Sequence, residues 1–287
     1  MVPLLSAGVA FYGFLALVPA LVAIVSIYGL VASPAELTRQ IRSATSAFPK
    51  DARDLMVTQM QSISRSSKGG LGVGVVVGIL GALWSASSGM KHLIEAINVA
   101  YDESETRKFV KLRGLAVLLT VAAAVFVVVA FALVALAPSL FDAIGLSGAG
   151  RVVAAILRFA VLAGGFLVGL AVLYRYAPDR DNPKWSWSSP GAIVATVLWL
   201  IGSLLFSLYT SRFGKYNETY GSLGAIVVLL LWLMLTALCV LVGAEMNSEL
   251  EAQTKVDTTE GSGEPMGERG ADAADRLGPV PAGRGGR

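Results

Sequence analysis

The side chains of this sequence that could do chemistry are few, and they sit at the ends of apolar runs. Leu223 to Val242 carries no charge and is followed at once by Gly243-Ala244-Glu245-Met246-Asn247, an acid and an amide for which a purely apolar anchor has no use. A polar turn with Tyr216, Asn217, Glu218 and Tyr220 precedes that run. Upstream, Ser88, Lys91, His92, Glu95, Asn98 and Asp102 recur every three or four residues and so share one helical face. Arg175 closes another apolar run, and Arg158 lies about two helical turns, roughly 10 Å, inside it, where a guanidinium must snorkel or find a partner. Groups so placed suit recognition of a polar head at two membrane rims. Arg158 with Tyr216, Asn217 and Tyr220 would form one rim, and Glu95, Asn98, Arg175, Glu245 and Asn247 the other.

The same inventory argues against a catalytic centre. His92 is the only histidine and Cys239 the only cysteine, so no intrachain disulfide, cysteine metal site or paired-histidine site can form. No acidic pair at metal-ligand spacing stands out, and neither a metal nor a cofactor is expected. Nuclease chemistry would need such acids or a general base together with a basic groove for a phosphate backbone. No groove is present, and no nucleic-acid partner is expected.

The elements that must hold these groups are membrane helices. Of the 287 residues 55% are hydrophobic and 15% charged, and the mean hydropathy is +0.66, which together point to an all-α polytopic membrane protein. Apolar runs place six transmembrane helices at about 6–31, 70–90, 114–137, 152–174, 190–210 and 221–244. Pro19 should kink or break the first. Gly70, Gly74 and Gly78, continued by Ala82 and Ala86, form a small-residue stripe that admits a neighbouring helix. Pro138 should end the third run, and Ser189-Pro190 should start the fifth. Between the first two spans, residues 33–66 read as an amphipathic helical hairpin outside the bilayer core, opened by the capping box Ser33-Pro34-Ala35-Glu36. Residues 1–254 thus make one transmembrane domain. From about 255 to 287 the chain is rich in Gly, Pro, Ala and charge, and reads as a disordered tail.

Basic residues orient the bundle. With both termini cytoplasmic, thirteen Lys and Arg lie inside against nine outside, six of the nine in the hairpin. The second rim named above, the one with Glu95, Arg175 and Glu245, is then cytoplasmic.

The order of motifs AGVAFYGFLALVPAL (7–21), ALWSASSGMKHLIEAINVAYDESETRKFVKLRG (82–114), YRYAP (174–178), SPGAIVATVLWLIGSLLFSLY (189–209) and the stretch from Tyr216 to Asn247 resembles the YihY/virulence factor BrkB family of bacterial inner-membrane proteins, once mislabelled as ribonuclease BN. The resemblance implies six spans in the inner membrane and little about chemistry. Members usually carry a longer cytoplasmic lead, so Met1 reads as an internal start or the lead as lost. Taken with the two rims, the expectation is a non-enzymatic transporter or flippase-like protein for a lipid or other envelope amphiphile. Membrane lipids are its expected partners, with a homo-oligomer or an envelope protein beside them. The alternatives are a non-transporting envelope scaffold and a small-solute or ion exporter.

Overall fold

The structure, a computed structural model, describes residues 1–29, 73–143, 145, 147–212, 222–261 and 263–275. Among these the chain is helical, without strands: α1 Val2–Gly29, α2 Val73–Ala100, α3 Phe109–Ala143, α4 Gly148–Tyr176, α5 Trp185–Arg212, α6 Ser222–Ala252 and the single turn α7 Asp272–Asp275. Four helices are long and apolar enough to cross a membrane, over Phe109–Ala130, Gly148–Tyr176, Trp185–Thr210 and Ile226–Ala252, and α1 carries a shorter apolar stretch, Val2–Leu17. The other two expected spans fall on α1 and α2. The hairpin at 33–66, Gly70, and the turn with Tyr216, Asn217 and Tyr220 lie outside the described residues; Gly74 and Gly78 belong to α2.

Consecutive helices pack pairwise and α6 returns to α1, so the bundle closes on itself, with α2 also touching α6. The contact between α1 and α2 is the most extensive. Buried apolar residues gather at one end: Ile94, Ile97 and Tyr101 of the α2 end, Leu112 and Ala116 of α3, Leu170 and Tyr174 of α4, Ala192 and Ala195 of α5, and Val240, Leu241 and Ala244 of α6. Further along, α3, α4 and α5 expose large side chains such as Val125, Ile156, Leu157, Leu204 and Leu205. That outer surface suits acyl chains rather than water.

Among the described residues three prolines fall inside helices beyond the first turn. α1 runs unbroken through Pro19, so the expected break is absent. α3 continues beyond Pro138 to Ala143, and α5 starts at Trp185, placing Pro190 in its second turn. A proline removes one backbone donor and leaves the carbonyl four residues earlier without its helical partner. Within a membrane that loss is tolerated where a neighbour supplies a replacement. Beside Pro190, Asn247 of α6 binds the residues on either side of Ser189-Pro190: its Oδ1 accepts from the Gly191 N–H at 2.7 Å and its Nδ2 donates to the Ser188 carbonyl at 3.2 Å.

Asn247 reaches α5 because two glycines let the backbones touch. A Cβ on Gly191 would stand 2.0 Å from the Gly243 carbonyl oxygen, and one on Gly243 would stand 2.5 Å from the Tyr174 hydroxyl and 2.6 Å from the Gly191 carbonyl. The Tyr174 hydroxyl, fully buried, donates to the Val240 carbonyl at 2.7 Å and ties α4 to the same crossing.

Two departures from the sequence reading concern ends. α6 does not stop near Ala244 but continues to Ala252, so Glu245, Asn247 and Glu251 belong to one helix with its lipid-length segment. Of the tail at 255–287 expected to be disordered, 255–261 and 263–275 are folded against the end of the bundle, and 276–287 lie outside the described residues. Their order does not come from large apolar side chains, whose scarcity suggested disorder. It comes from mutually satisfied polar groups: Arg269 donates to the carbonyls of Glu264, Ala274 and Lys255, and Asp275 accepts from the N–H groups of Gly267 and Arg269.

Gly191→Ala or Gly243→Ala should therefore destabilise the protein by about 1–3 kcal/mol or more through overpacking, whereas Gly164→Ala, whose Cβ would meet nothing within 4 Å, should not. Thermal melting of the purified protein in detergent checks this; equal melting temperatures for all three would refute the close crossing.

Candidate functional site: a charged rim above an apolar cavity

The rim is assembled from the C-terminal end of α2, the 101–108 loop, the 177–184 loop, the end of α6 and the 253–275 strap. Asn98, almost fully buried, is its first organiser: Nδ2 donates to Glu105 Oε2 at 2.8 Å, and Oδ1 accepts from the Asp179 N–H at 2.8 Å. Arg107 forks onto Glu105, Nε to Oε1 at 2.8 Å and Nη2 to Oε2 at 2.6 Å, and also donates to the Ala177 carbonyl. Asp179 in turn accepts from the Thr106 N–H and hydroxyl at 2.5 and 2.6 Å. Burial by itself raises both carboxyls, but these donors prevail and hold Glu105 and Asp179 below the ordinary carboxylate range.

Beneath this layer lies a second pair with no solvent contact. Arg180 Nη2 meets Glu251 Oε2 at 2.7 Å with both side chains wholly buried, and the Thr258 hydroxyl donates to the same oxygen at 2.8 Å. The guanidinium stands 5.4 Å from the Tyr101 ring centroid. The Tyr101 hydroxyl lies beside Asn247 and Glu251 without a hydrogen bond of good geometry, and burial followed by the Glu251 charge pushes it well above the usual tyrosine range. Glu103 is raised as well, by burial that the Asp272 N–H only partly offsets.

The strap lies across the 177–184 loop. Glu260 N–H donates to the Asn182 carbonyl at 2.9 Å, Lys184 N–H to the Thr258 carbonyl at 2.8 Å, and Asp181 N–H to the Gly270 carbonyl at 2.9 Å. Its own organiser is Asp257, which accepts from the Thr259 N–H and hydroxyl and from the Glu264 N–H. Burial opposes ionisation there, yet the Glu264 and Thr259 donors hold the carboxyl at about 2.

Behind the rim, α1, α2, α3 and α6 line an open pocket of about 230 Å³, walled by small and apolar residues including Ala10, Gly13, Gly89, Ala123 and Ala237. Its polar groups are already committed: Thr120 donates to the Ala116 carbonyl, and Thr236 donates to the Trp232 carbonyl while accepting from Trp199. A space of this kind receives an apolar body.

Of the residues singled out from sequence, the structure brings Asn98, Arg175 and Asn247 into the buried rim. Glu95 stands apart, paired with Lys91 and His92 at 2.9 Å each on the α2 surface, where His92 also stacks on Tyr12. Glu245 is exposed. Arg158 reaches neither the cavity nor the described rim. Its Nη1 donates at 3.4 Å to the Val134 carbonyl, four residues before Pro138 and hence the very group that proline deprives of a helical donor. Tyr101, Arg180, Glu251 and the Gly191/Gly243 crossing were not singled out. One signal was present: Val240, Ala244, Asn247 and Glu251 recur at helical spacing, so Glu251 had to share the face of Asn247.

Two outcomes follow. Glu251→Gln or Arg180→Met should each destabilise by about 3–5 kcal/mol because a buried charge loses its partner, while Arg180→Met combined with Glu251→Leu should recover most of that loss; melting temperatures of the three variants check it. Asp257, lowered from 3.8 to about 2 in the folded chain, contributes stability that is present above about pH 4 and lost as the pH falls toward 2. Glu105 and Asp179 act in the same direction, and Glu103, raised, in the opposite one. Hydrogen exchange over 255–275 should accelerate on acidification through that window, and Asp257→Ala should already expose the strap at neutral pH.

The virulence factor BrkB family matches residues 1–266. A putative ribonuclease-like protein of Bacillus subtilis is 32% identical over 212 residues, covering 72% of this chain and 76% of that protein. UPF0761 membrane proteins match over shorter stretches: one from Idiomarina loihiensis is 32% identical over 84 residues, 29% of each chain, and one from Pseudoalteromonas translucida 29% identical over 94 residues, 33% of this chain and 31% of that one. No solved structure matches. An all-helical bundle with membrane-length apolar helices, and a match that takes in both the bundle and most of the strap, make this chain a member of the virulence factor BrkB family of bacterial membrane proteins.

Proposed function

We propose that the protein moves a lipid or lipid-like amphiphile across the bacterial inner membrane, with both termini cytoplasmic and the charged rim on the cytoplasmic side. The observation that carries this reading is the apolar cavity directly behind a sealed polar rim. At about 230 Å³ it falls below the roughly 300–1,000 Å³ of sites that engulf a whole small molecule. It suits part of an acyl chain, with the head group left to the polar layer. An ion or a small polar solute would find no uncommitted polar group on the walls.

The rim is closed as it stands: Tyr101, Tyr174, Asn247, Arg180 and Glu251 are buried with little or no exposure. Passage therefore requires the rim to open, and the strap, which joins the 177–184 loop through backbone hydrogen bonds, is the part taken to leave. The test is movement of a fluorescent phospholipid between leaflets of proteoliposomes. The protein should move it several-fold faster than empty vesicles do, and Ala123→Leu, which fills the cavity from α3 without touching the buried core, should slow it. No movement above empty vesicles would overturn the reading.

A further inference from the structure

Two deeply buried arginines of the rim differ in one respect that bears on ligand binding. Arg180 and Glu251 are both wholly buried, so neither can exchange its partner without opening the core. Arg175 is buried equally deeply, its side chain 4% exposed, yet its counter-charge is Glu260, 54% exposed and carried by the strap. The guanidinium also donates to the Pro183 carbonyl and meets the Tyr176 hydroxyl, while its Nε, buried, has no hydrogen-bond partner. The Trp185 ring lies under it at 4.6 Å and the Tyr176 ring at 5.5 Å.

A buried guanidinium has to keep an anion, because the alternative is an uncompensated charge. Nothing buries this particular anion. A carboxylate more than half in water loses little solvation on leaving, and any oxyanion that presents two oxygens to the planar fork can take its place and use Nε as well. Two aromatic walls favour the cation and shield the contact from water. The strap is itself acidic, with six carboxylates and two basic residues between 253 and 275, so it presents a built-in anion to a cationic site.

We infer that Arg175, flanked by Trp185 and Tyr176, is a receptor for the phosphate or other oxyanion of an amphiphile's head group, and that Glu260 of the C-terminal strap occupies it as an internal stand-in. This rests on the amphiphile reading for the nature of its occupant. Binding and release of the strap are then coupled: an anion on Arg175 frees Glu260 and loosens the strap, while a docked strap lowers the apparent affinity of the site. If Glu260 holds Arg175 about nine-tenths of the time, the apparent dissociation constant is raised about tenfold.

The test uses the full chain in detergent or in nanodiscs of phosphatidylcholine. Glycerol 3-phosphate, inorganic phosphate, and phosphatidylglycerol titrated into the nanodisc are the probes, read by intrinsic tryptophan fluorescence and by hydrogen exchange over 255–275. Glu260→Gln, a half-exposed change that leaves the core intact, should tighten binding of at least one probe about tenfold, and the probe should deprotect the strap of the native protein. Arg175→Lys, which keeps the charge but not the fork, should weaken that binding, and Arg175→Gln should abolish it. Response to the soluble phosphates locates recognition in the anion alone; response only to phosphatidylglycerol shows that the tail is needed too. Equal affinity in the native protein and Glu260→Gln, or binding that survives in a folded Arg175→Gln, would overturn the inference. Lipid movement without anion binding would sink this site and leave the transport reading standing, and anion binding without lipid movement would do the reverse.

Discussion

The structure depends on one backbone contact, the crossing of α5 and α6 at Gly191 and Gly243. With a side chain at either position the helices would separate, because the nearest atoms are a carbonyl oxygen and a tyrosine hydroxyl with no room to move. The contact sets the height and rotation of α6 against α5 and so decides that Asn247 meets the Pro190 turn. One turn further on, it places Glu251 beside Arg180. Tyr174 reads the same crossing from α4 through its bond to Val240. Most of the rim hangs from this point.

Two environments divide the molecule along its length. At the rim end, close packing of alanines and aromatic rings coexists with fully buried charges, each supplied with a partner. Toward the other end the large side chains point outward, as lipid requires. Arg158 lies in this second environment, with its Nη1 3.4 Å from the Val134 carbonyl beside Pro138.

Much of the fold was legible in the sequence, because a backbone in hydrocarbon has little choice but to be helical and runs of that length can hardly be anything else. Asn98, Arg175 and Asn247 were legible for the same reason, as polar residues at the ends of such runs. Glu95 and Glu245 carried the same signal and yet lie on the outer surface of the rim, since helical spacing tells which residues share a face but not what that face meets. The strap escaped because composition counts apolar side chains, whereas its order comes from Arg269 and Asp257 satisfying backbone groups across several residues.

The sequence by itself determined that the chain is a helical membrane protein of the BrkB family, that its polar groups lie at the ends of apolar runs, and that no intrachain disulfide, cysteine metal site or paired-histidine site can form in it. Those are consequences of composition, run length and motif order, which are local. Only the tertiary structure decided which charges pair, that Arg158 lies beside the Val134 carbonyl, that Glu251 and Arg180 share a dry site, and that the C-terminal strap hands Glu260 to Arg175. Each of these joins residues from different helices or loops, and no local pattern carries the distance between them.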